Sequence, residues 1–405
     1  MATADRTLSH TVNHRIHGSW SILLWLLWAA VAVFGAIGVV QRVVDGERLA
    51  AYSSYIPWGM WVAAYIYFIG LSAGAFLLSS MVYVFGVHQL ERIAKLSLFT
   101  AAITLIMALI SILFDLGHME RFYEVFTRPQ FHSMMAWMVW LYTAYFVVLL
   151  AELFVAVRAD RPGLSPEQRA RSQWRLRILG TVGVPLAIAF HGGVGALFGT
   201  VVAREYWHTA LFPILFLVGA LVSGGAAMTF IVAMFWPERD QGWRDVMSLL
   251  SKLVVGLVLF DFLLEWAEYS IPAWYQVGSE FNLIHDILFG PYWYVFWIIH
   301  LLFGVVIPVA LLGFSRRPLL QGLGAGLVAV TFFAIRLDLV IPGLVTPELQ
   351  GLQTAYSDVI GNRLTYVYTP SLFEWQVTAG VVALGVALFY IGFRYLPLTR
   401  ARRQG

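Results

Sequence analysis

Long apolar runs in this 405-residue chain are interrupted by a few side chains that can hold or pass a proton: Asp115, Glu152, His191, Asp261, Glu265, His300, Arg336 and Asp338. A titratable group inside hydrocarbon is costly, so each is a functional hypothesis by default. His191 stands out because Gly192 and Gly193 follow it and would let a backbone or a ligand come close. Asp261, Glu265 and Glu268 recur at spacings of four and three, which lines them along one helix face. A line of carboxyls in a bilayer suits a proton route or a water-filled cleft. The structural alternative is a set of interhelical ion pairs, Arg336 with Asp261 for instance. Arg336 and Asp338 are two residues apart and therefore not stacked on their helix.

Redox centres are constrained by the same inventory. The chain has no cysteine, which excludes disulfides, thiolate catalysis and cysteine-ligated iron–sulfur clusters within it. His191 and His300 fall at similar depths on different helices, so bis-histidine haem ligation has to be weighed. No second pair matches them, and His300 follows Trp297-Ile298-Ile299 with no small residue to admit a macrocycle. The reading is against haem.

These groups must be carried by membrane helices. Hydrophobic residues make up 60% of the chain and charged residues 12%, with a mean hydropathy of +0.75. Runs of about 20 apolar residues can cross a bilayer as helices. Ten spans are expected, roughly Trp20–Val40, Pro57–Val87, Ala94–Phe114, Phe131–Val157, Arg177–Val202, Thr209–Trp236, Val246–Glu268, Pro291–Phe314, Leu319–Gly343 and Phe373–Leu396. Pro57, Pro291 and Pro318 sit where helices begin, whereas Pro185, Pro213 and Pro308 fall inside spans and should kink them. The polar start, Met1 to Gly18, carries no cleavable-signal pattern, so the first helix is expected to stay.

Counting basic residues orients the chain. Nineteen lie on the side of the termini against six on the other, with Arg336 inside the membrane. The expectation is a bacterial inner-membrane protein with both termini cytoplasmic. The net charge of +3 gives nucleic-acid binding no support. The two longest connections, Ser270–Gly290 and Leu344–Leu372, then fall on the outer side. They are rich in Trp, Tyr and Pro, which suits either functional surface or headgroup anchoring.

A weak internal repeat organises the middle of the chain. Gly70-Leu71-Ser72-Ala73-Gly74-Ala75 resembles Ser223-Gly224-Gly225-Ala226, Phe114-Asp115 recurs as Phe260-Asp261, and His191 and Arg336 are 145 residues apart. An offset of four helices preserves orientation, so the expected fold is all-α, with two parallel-repeat four-helix bundles plus two peripheral helices. The expected divisions are 1–56 for the cytoplasmic start and first helix, 57–203 for the first bundle, 204–343 for the second, and 344–405 for the outer loop, last helix and tail.

The ordered set of segments resembles the NrfD-like polysulfide reductase membrane-anchor family, including ten-helix members found with periplasmic hydrogenases and alternative complex III. The matching segments are Pro57-Trp58-Gly59, Asp115 through Phe122, Phe131 through Trp137, His191-Gly192 through Ser223-Gly224, Gly290-Pro291-Tyr292, Arg336-Leu337-Asp338 and Tyr368-Thr369-Pro370-Ser371. Two places depart from the family pattern: Gly117-His118-Met119 stands for its usual Gly-Arg-Pro, and Arg336-Leu337-Asp338 for its frequent Arg-x-Asn.

The resemblance implies a subunit that exchanges electrons between a quinone pool, menaquinone or ubiquinone, and a docked iron–sulfur protein on the periplasmic face. That partner would serve a catalytic subunit such as a molybdopterin enzyme, a hydrogenase or a multihaem cytochrome. His191 and Asp115 are then the expected groups for hydrogen bonds to the two quinone oxygens and for proton exchange, with His132, Trp58 and Tyr65 as further contacts. Asp261, Glu265, Arg336, Asp338 and Glu152 would step protons toward the cytoplasm. A secondary transporter and a di-haem cytochrome anchor are the rival readings.

Overall fold

The computed structural model describes residues 18–161, 163–291, 293–347, 351 and 364–399. The start of the chain with Arg6 and Arg15, Tyr292, most of the Leu344–Leu372 connection with Arg363, and Arg400, Arg402 and Arg403 lie outside the described residues. The described residues form helices and no strand. Ten helices among them are long and apolar enough to cross a membrane. Lipid offers no partner for backbone N–H and C=O groups, so such runs must satisfy them internally.

The ten are α1 (Gly18–Asp45), α2 (Met60–Tyr83), α3 (Ala94–Asp115), α4 (Met134–Ala159) and α5 (Pro166–Gly199), followed by α6 (Phe212–Phe235), α7 (Gln241–Tyr275), α8 (Val295–Phe314), α9 (Pro318–Val340) and α10 (Leu372–Tyr395). An even number of crossings puts both chain ends on one face, called the chain-end face below, and the opposite face is the distal one.

Several helix ends differ from the hydropathy reading, each for a local reason. α5 begins at Pro166 rather than Arg177, because Ser165 and Gln168 form a reciprocal capping box with proline in the first turn. α7 begins after Asp240, whose side chain accepts from the Trp243 N–H, and runs on through Pro272 to Tyr275, where Gln276 takes a left-handed conformation at φ 53°. The connection read as Ser270–Gly290 is therefore mostly helix, since an amphipathic helix over Gly278–Phe289 follows at once. Pro57 precedes α2 instead of opening it, Pro291 likewise precedes α8, and Pro213 falls in the first turn of α6, where no kink is required. Pro308 acts differently again. The segment before it, Val295–Val306, is wound as a π-helix, with the Ile307 N–H bonded to the Leu302 carbonyl five residues back.

α2 and α6 form the centre. Nearly every α2 side chain is buried, as an apolar helix without a polar face must be. α2 packs on α3, α5 and α6; α4 packs on α3 and α5; α6 packs on α7 and α9; α8 packs on α7 and α9. α1 and α10 pair with each other and reach the rest through α3 and α2. The segments compared above as repeats meet at the α2–α6 crossing. A Cβ on Gly74 would collide with the Ala220 carbonyl, and one on Gly224 would sit 2.6 Å from Gly74 Cα. Small residues there let two backbones touch. Gly74→Leu is expected to cost about 3 kcal/mol or more, by overpacking that a backbone carbonyl cannot relieve. Thermal unfolding in detergent reads it, and an unchanged transition would refute the contact.

Candidate functional site

The polar groups fall into three places. The first is the distal rim, where Asp115 ends α3. Its Oδ1 accepts a 2.6 Å hydrogen bond from the Tyr52 hydroxyl, and Oδ2 has no hydrogen-bond partner among the described residues. Asp115 is half-buried. Arg42 closes the end of α3, donating from Nε to the Phe114 carbonyl and from Nη2 to the Leu116 carbonyl, both at 2.7 Å. Those bonds satisfy acceptors that a helix C-terminus leaves open. A carboxyl at the negative end of the helix dipole works against stability, which makes its presence informative.

Tyr52 is fixed from the far end of the chain. It stacks on Tyr368, whose hydroxyl donates to Glu374 while accepting from the Met60 N–H at 2.8 Å. Glu374 is fully buried and also accepts from the Ala51 and Ser371 N–H groups. Burial, with the carboxyls of Asp115 and Glu374 nearby, pushes the Tyr52 phenol well above its usual range. Tyr52 therefore stays protonated and keeps donating to Asp115 at any physiological pH.

The second place is deeper, between α2, α5 and α6. His191 is fully buried, with Cε1 3.6 Å from where a Cβ on Gly70 would stand. Neither ring nitrogen makes a hydrogen bond of ordinary geometry to the described residues, although a backbone group of Phe216 is near. The ring lies beside Phe190 and Phe216. Phe216 begins a row of aromatic side chains leading to the distal face: Phe198 at 5.6 Å, Trp207 at 4.9 Å from Phe198, and half-buried Trp58 stacked on Trp207 at 5.8 Å. The other face of this cluster carries Arg336, whose guanidinium lies 4.8 Å from the Phe216 centroid and 4.9 Å from that of Phe332.

The third place joins α7, α8 and α9. Glu265 and His300 share a 2.7 Å hydrogen bond through Nε2, while His300 Nδ1 has no partner among the described residues. Asp261 and Asp338 are buried close enough to this pair to feel its charges. Asp261, His300, Gly304, Thr331 and Phe332 line a narrow crevice with room for about one water molecule. Arg336 also feels Asp261 and Glu265 but makes no ion pair with either, and its Nε and Nη2 are unpartnered among the described residues. The Arg336–Asp261 bridge weighed above does not form.

The structure does not bring Asp115 and His191 together. Met60 belongs to the Tyr52–Tyr368 level and Gly70 to that of His191, and ten helical residues separate them by about 15 Å. One ring cannot hydrogen-bond both. Tyr65 is buried on α2 near Tyr142, and His132 is exposed before α4. Glu152 lies apart from the α7–α9 cluster, on α4 facing Gly180 of α5. Arg42, Tyr52 and Glu374 were not among the expected site residues, and Tyr368 entered only as part of the family-like segment Tyr368-Thr369-Pro370-Ser371. Ser371 and Glu374 carry the spacing of a helix-capping pair, a further local signal at this end of α10.

Comparisons with known proteins agree with this architecture. The family profile described as "Polysulphide reductase, NrfD" matches residues 49–348. The chain is 37% identical to the C subunit of selenate reductase from Mesobacillus selenatarsenatis, over 94% of this chain and 95% of that protein. It is 28% identical to the Hdr-like menaquinol oxidoreductase integral membrane subunit of Archaeoglobus fulgidus, over 94% and 95%. It is 21% identical to the integral membrane subunit of menaquinone reductase from Nitratidesulfovibrio vulgaris, over 93% of each.

Proposed function

The chain belongs to the NrfD polysulphide reductase family, and on that footing we propose that it is the quinone-binding membrane subunit of a respiratory oxidoreductase complex. Its distal face would be the periplasmic one, where an iron–sulfur protein docks and passes electrons to or from a catalytic subunit. The basic residues crowding the chain-end face support that orientation, with both termini in the cytoplasm. Relatives named as subunits of a menaquinol oxidoreductase and a menaquinone reductase support the quinone link, and the selenate reductase relative supports a catalytic partner.

The observation that carries the reading is the Asp115–Tyr52 pair at the distal rim. A quinone or quinol supplies two-electron, two-proton chemistry, so its site needs a group that exchanges protons beside a water-accessible surface. Asp115 fits: Oδ1 is held by Tyr52, and Oδ2 is open to accept or return a proton. Arg42 locks the end of α3, so the carboxyl does not swing with a fraying helix. Trp58 shields the inner side with Trp207, while His191 and Arg336 form a deeper level at the end of the aromatic row. Asp261, Glu265 and Asp338, with Arg336 at their edge, are the proposed stations for proton movement in the α7–α9 group.

The test is gentle detergent purification on this subunit, with quinone analysis and a visible spectrum. The expected product contains bound quinone and an iron–sulfur protein. A lone, colourless, quinone-free chain would overturn the reading in favour of a transporter.

A further inference from the structure

Among the described residues Glu152 is an anomalous side chain. It is fully buried, and neither carboxyl oxygen has a hydrogen-bond partner among the described residues. A buried polar group is ordinarily bonded, and a carboxyl in hydrocarbon without a partner calls for a specific reason. No ion pair among the described residues accounts for it: Arg158 on the same helix stands over the Phe154 ring, and Lys95 of α3 is paired with Asp160. Across from it α5 presents Gly180, where a Cβ would stand 3.7 Å from Glu152 Oε1. Val84 Cγ2 would stand 2.8 Å from the same Cβ, so this side of the carboxyl meets apolar groups and no polar partner.

Its level in the bundle is equally telling. Tyr145 lies two turns toward the distal face on the same side of α4, close enough to feel Glu152, and packs at 4.6 Å on Phe190, the neighbour of His191. The Tyr145 hydroxyl and Ser72 Oγ stand 3.3 Å apart, and Ser72 follows Gly70, which flanks His191, by two residues. Seven residues separate Tyr145 from Glu152, and seven more separate Glu152 from Ala159 at the end of α4. Each step is about 10 Å. Glu152 thus stands midway between the Tyr145–His191 level and the chain-end face.

We propose that Glu152 is a proton-binding site of the α2–α5 group, passing protons between the chain-end face and the Tyr145–His191 level along a route separate from the α7–α9 cluster. The carboxylic acid gives its proton up on one side and is reprotonated from the other. What the proton is used for rests on the quinone-linked reading; the site itself does not.

The experiment has two readouts on the purified full complex. Dicyclohexylcarbodiimide adds to a protonated carboxyl in an apolar setting and rearranges to a stable N-acylurea. The peptide bearing Glu152 is expected to carry one adduct, lost in Glu152→Gln. In proteoliposomes, Glu152→Gln is expected to lower protons moved per quinone by at least half, with Asp261→Asn reporting on the other cluster in the same assay. An unlabelled Glu152 in a complex whose other buried carboxyls do label would overturn the proposal. So would an unchanged proton ratio in an active, coupled Glu152→Gln complex. Labelling of Glu152 in a complex without quinone activity would sink the quinone reading and leave the proton site standing.

Discussion

Replacing Asp115 with Asn is expected to slow quinone-dependent turnover roughly 100-fold or more, the range that loss of a positioned acid–base group produces. The variant should assemble normally. Asparagine keeps the size of the side chain and can still accept from Tyr52, while Arg42 continues to hold the Phe114 and Leu116 carbonyls. What disappears is the proton capacity of Oδ2. Tyr52→Phe should cost less, about tenfold, because it frees the carboxyl without removing it. Its phenol is held above the physiological range, so wild-type activity should show no pH limb belonging to Tyr52. Steady-state assays with a soluble quinol, on preparations matched for the amount of assembled complex, decide the matter. Asp115→Asn at near wild-type rate would remove the distal rim from the mechanism.

The second large effect concerns the Glu265–His300 bond inside the α7–α9 group. Both side chains are mostly buried, so cutting one partner strands the other in a medium that cannot replace the bond. Glu265→Leu is expected to destabilise the protein by about 2–3 kcal/mol, and His300→Leu by a similar amount. The double variant should be less damaged than the sum of the two, because no stranded group remains. Thermal unfolding of the four proteins gives the cycle. Strict additivity would mean that the bond contributes nothing to the fold. His300 lies within the π-wound part of α8, so its reach toward Glu265 depends on that winding. The single variants therefore also test whether the wide helix is held by this bond.

Hydropathy alone was enough for the ten crossing helices and the all-helical class, and the ordered motifs for the family resemblance; the ten apolar helices and the family profile bear these out. The errors of hydropathy fell at helix ends. The first turns of α5 and of α7 are helical because of side-chain caps, and caps leave only a faint trace in hydropathy. The intramembrane titratable groups were also legible one by one, because charge in an apolar run is conspicuous. Their grouping was not. His191 and Asp115 were expected to share one quinone and lie at two levels; Glu152, expected on the fourth helix as a step of the same proton route, faces Gly180 of α5 and lies apart from the α7–α9 cluster.

By itself the sequence determined that this is a membrane helix bundle with costly polar groups inside it. Run length and hydropathy act residue by residue against a bilayer of set thickness, and no partner need be known. Only the tertiary structure decided which groups meet. Tyr368 and Glu374 reach across more than 300 residues to hold Met60, Ala51 and, through Tyr52, Asp115. Arg336 settles on two aromatic faces instead of on Asp261. Such choices depend on helix rotation, depth and the small residues at crossings, quantities that exist only once the helices are packed together.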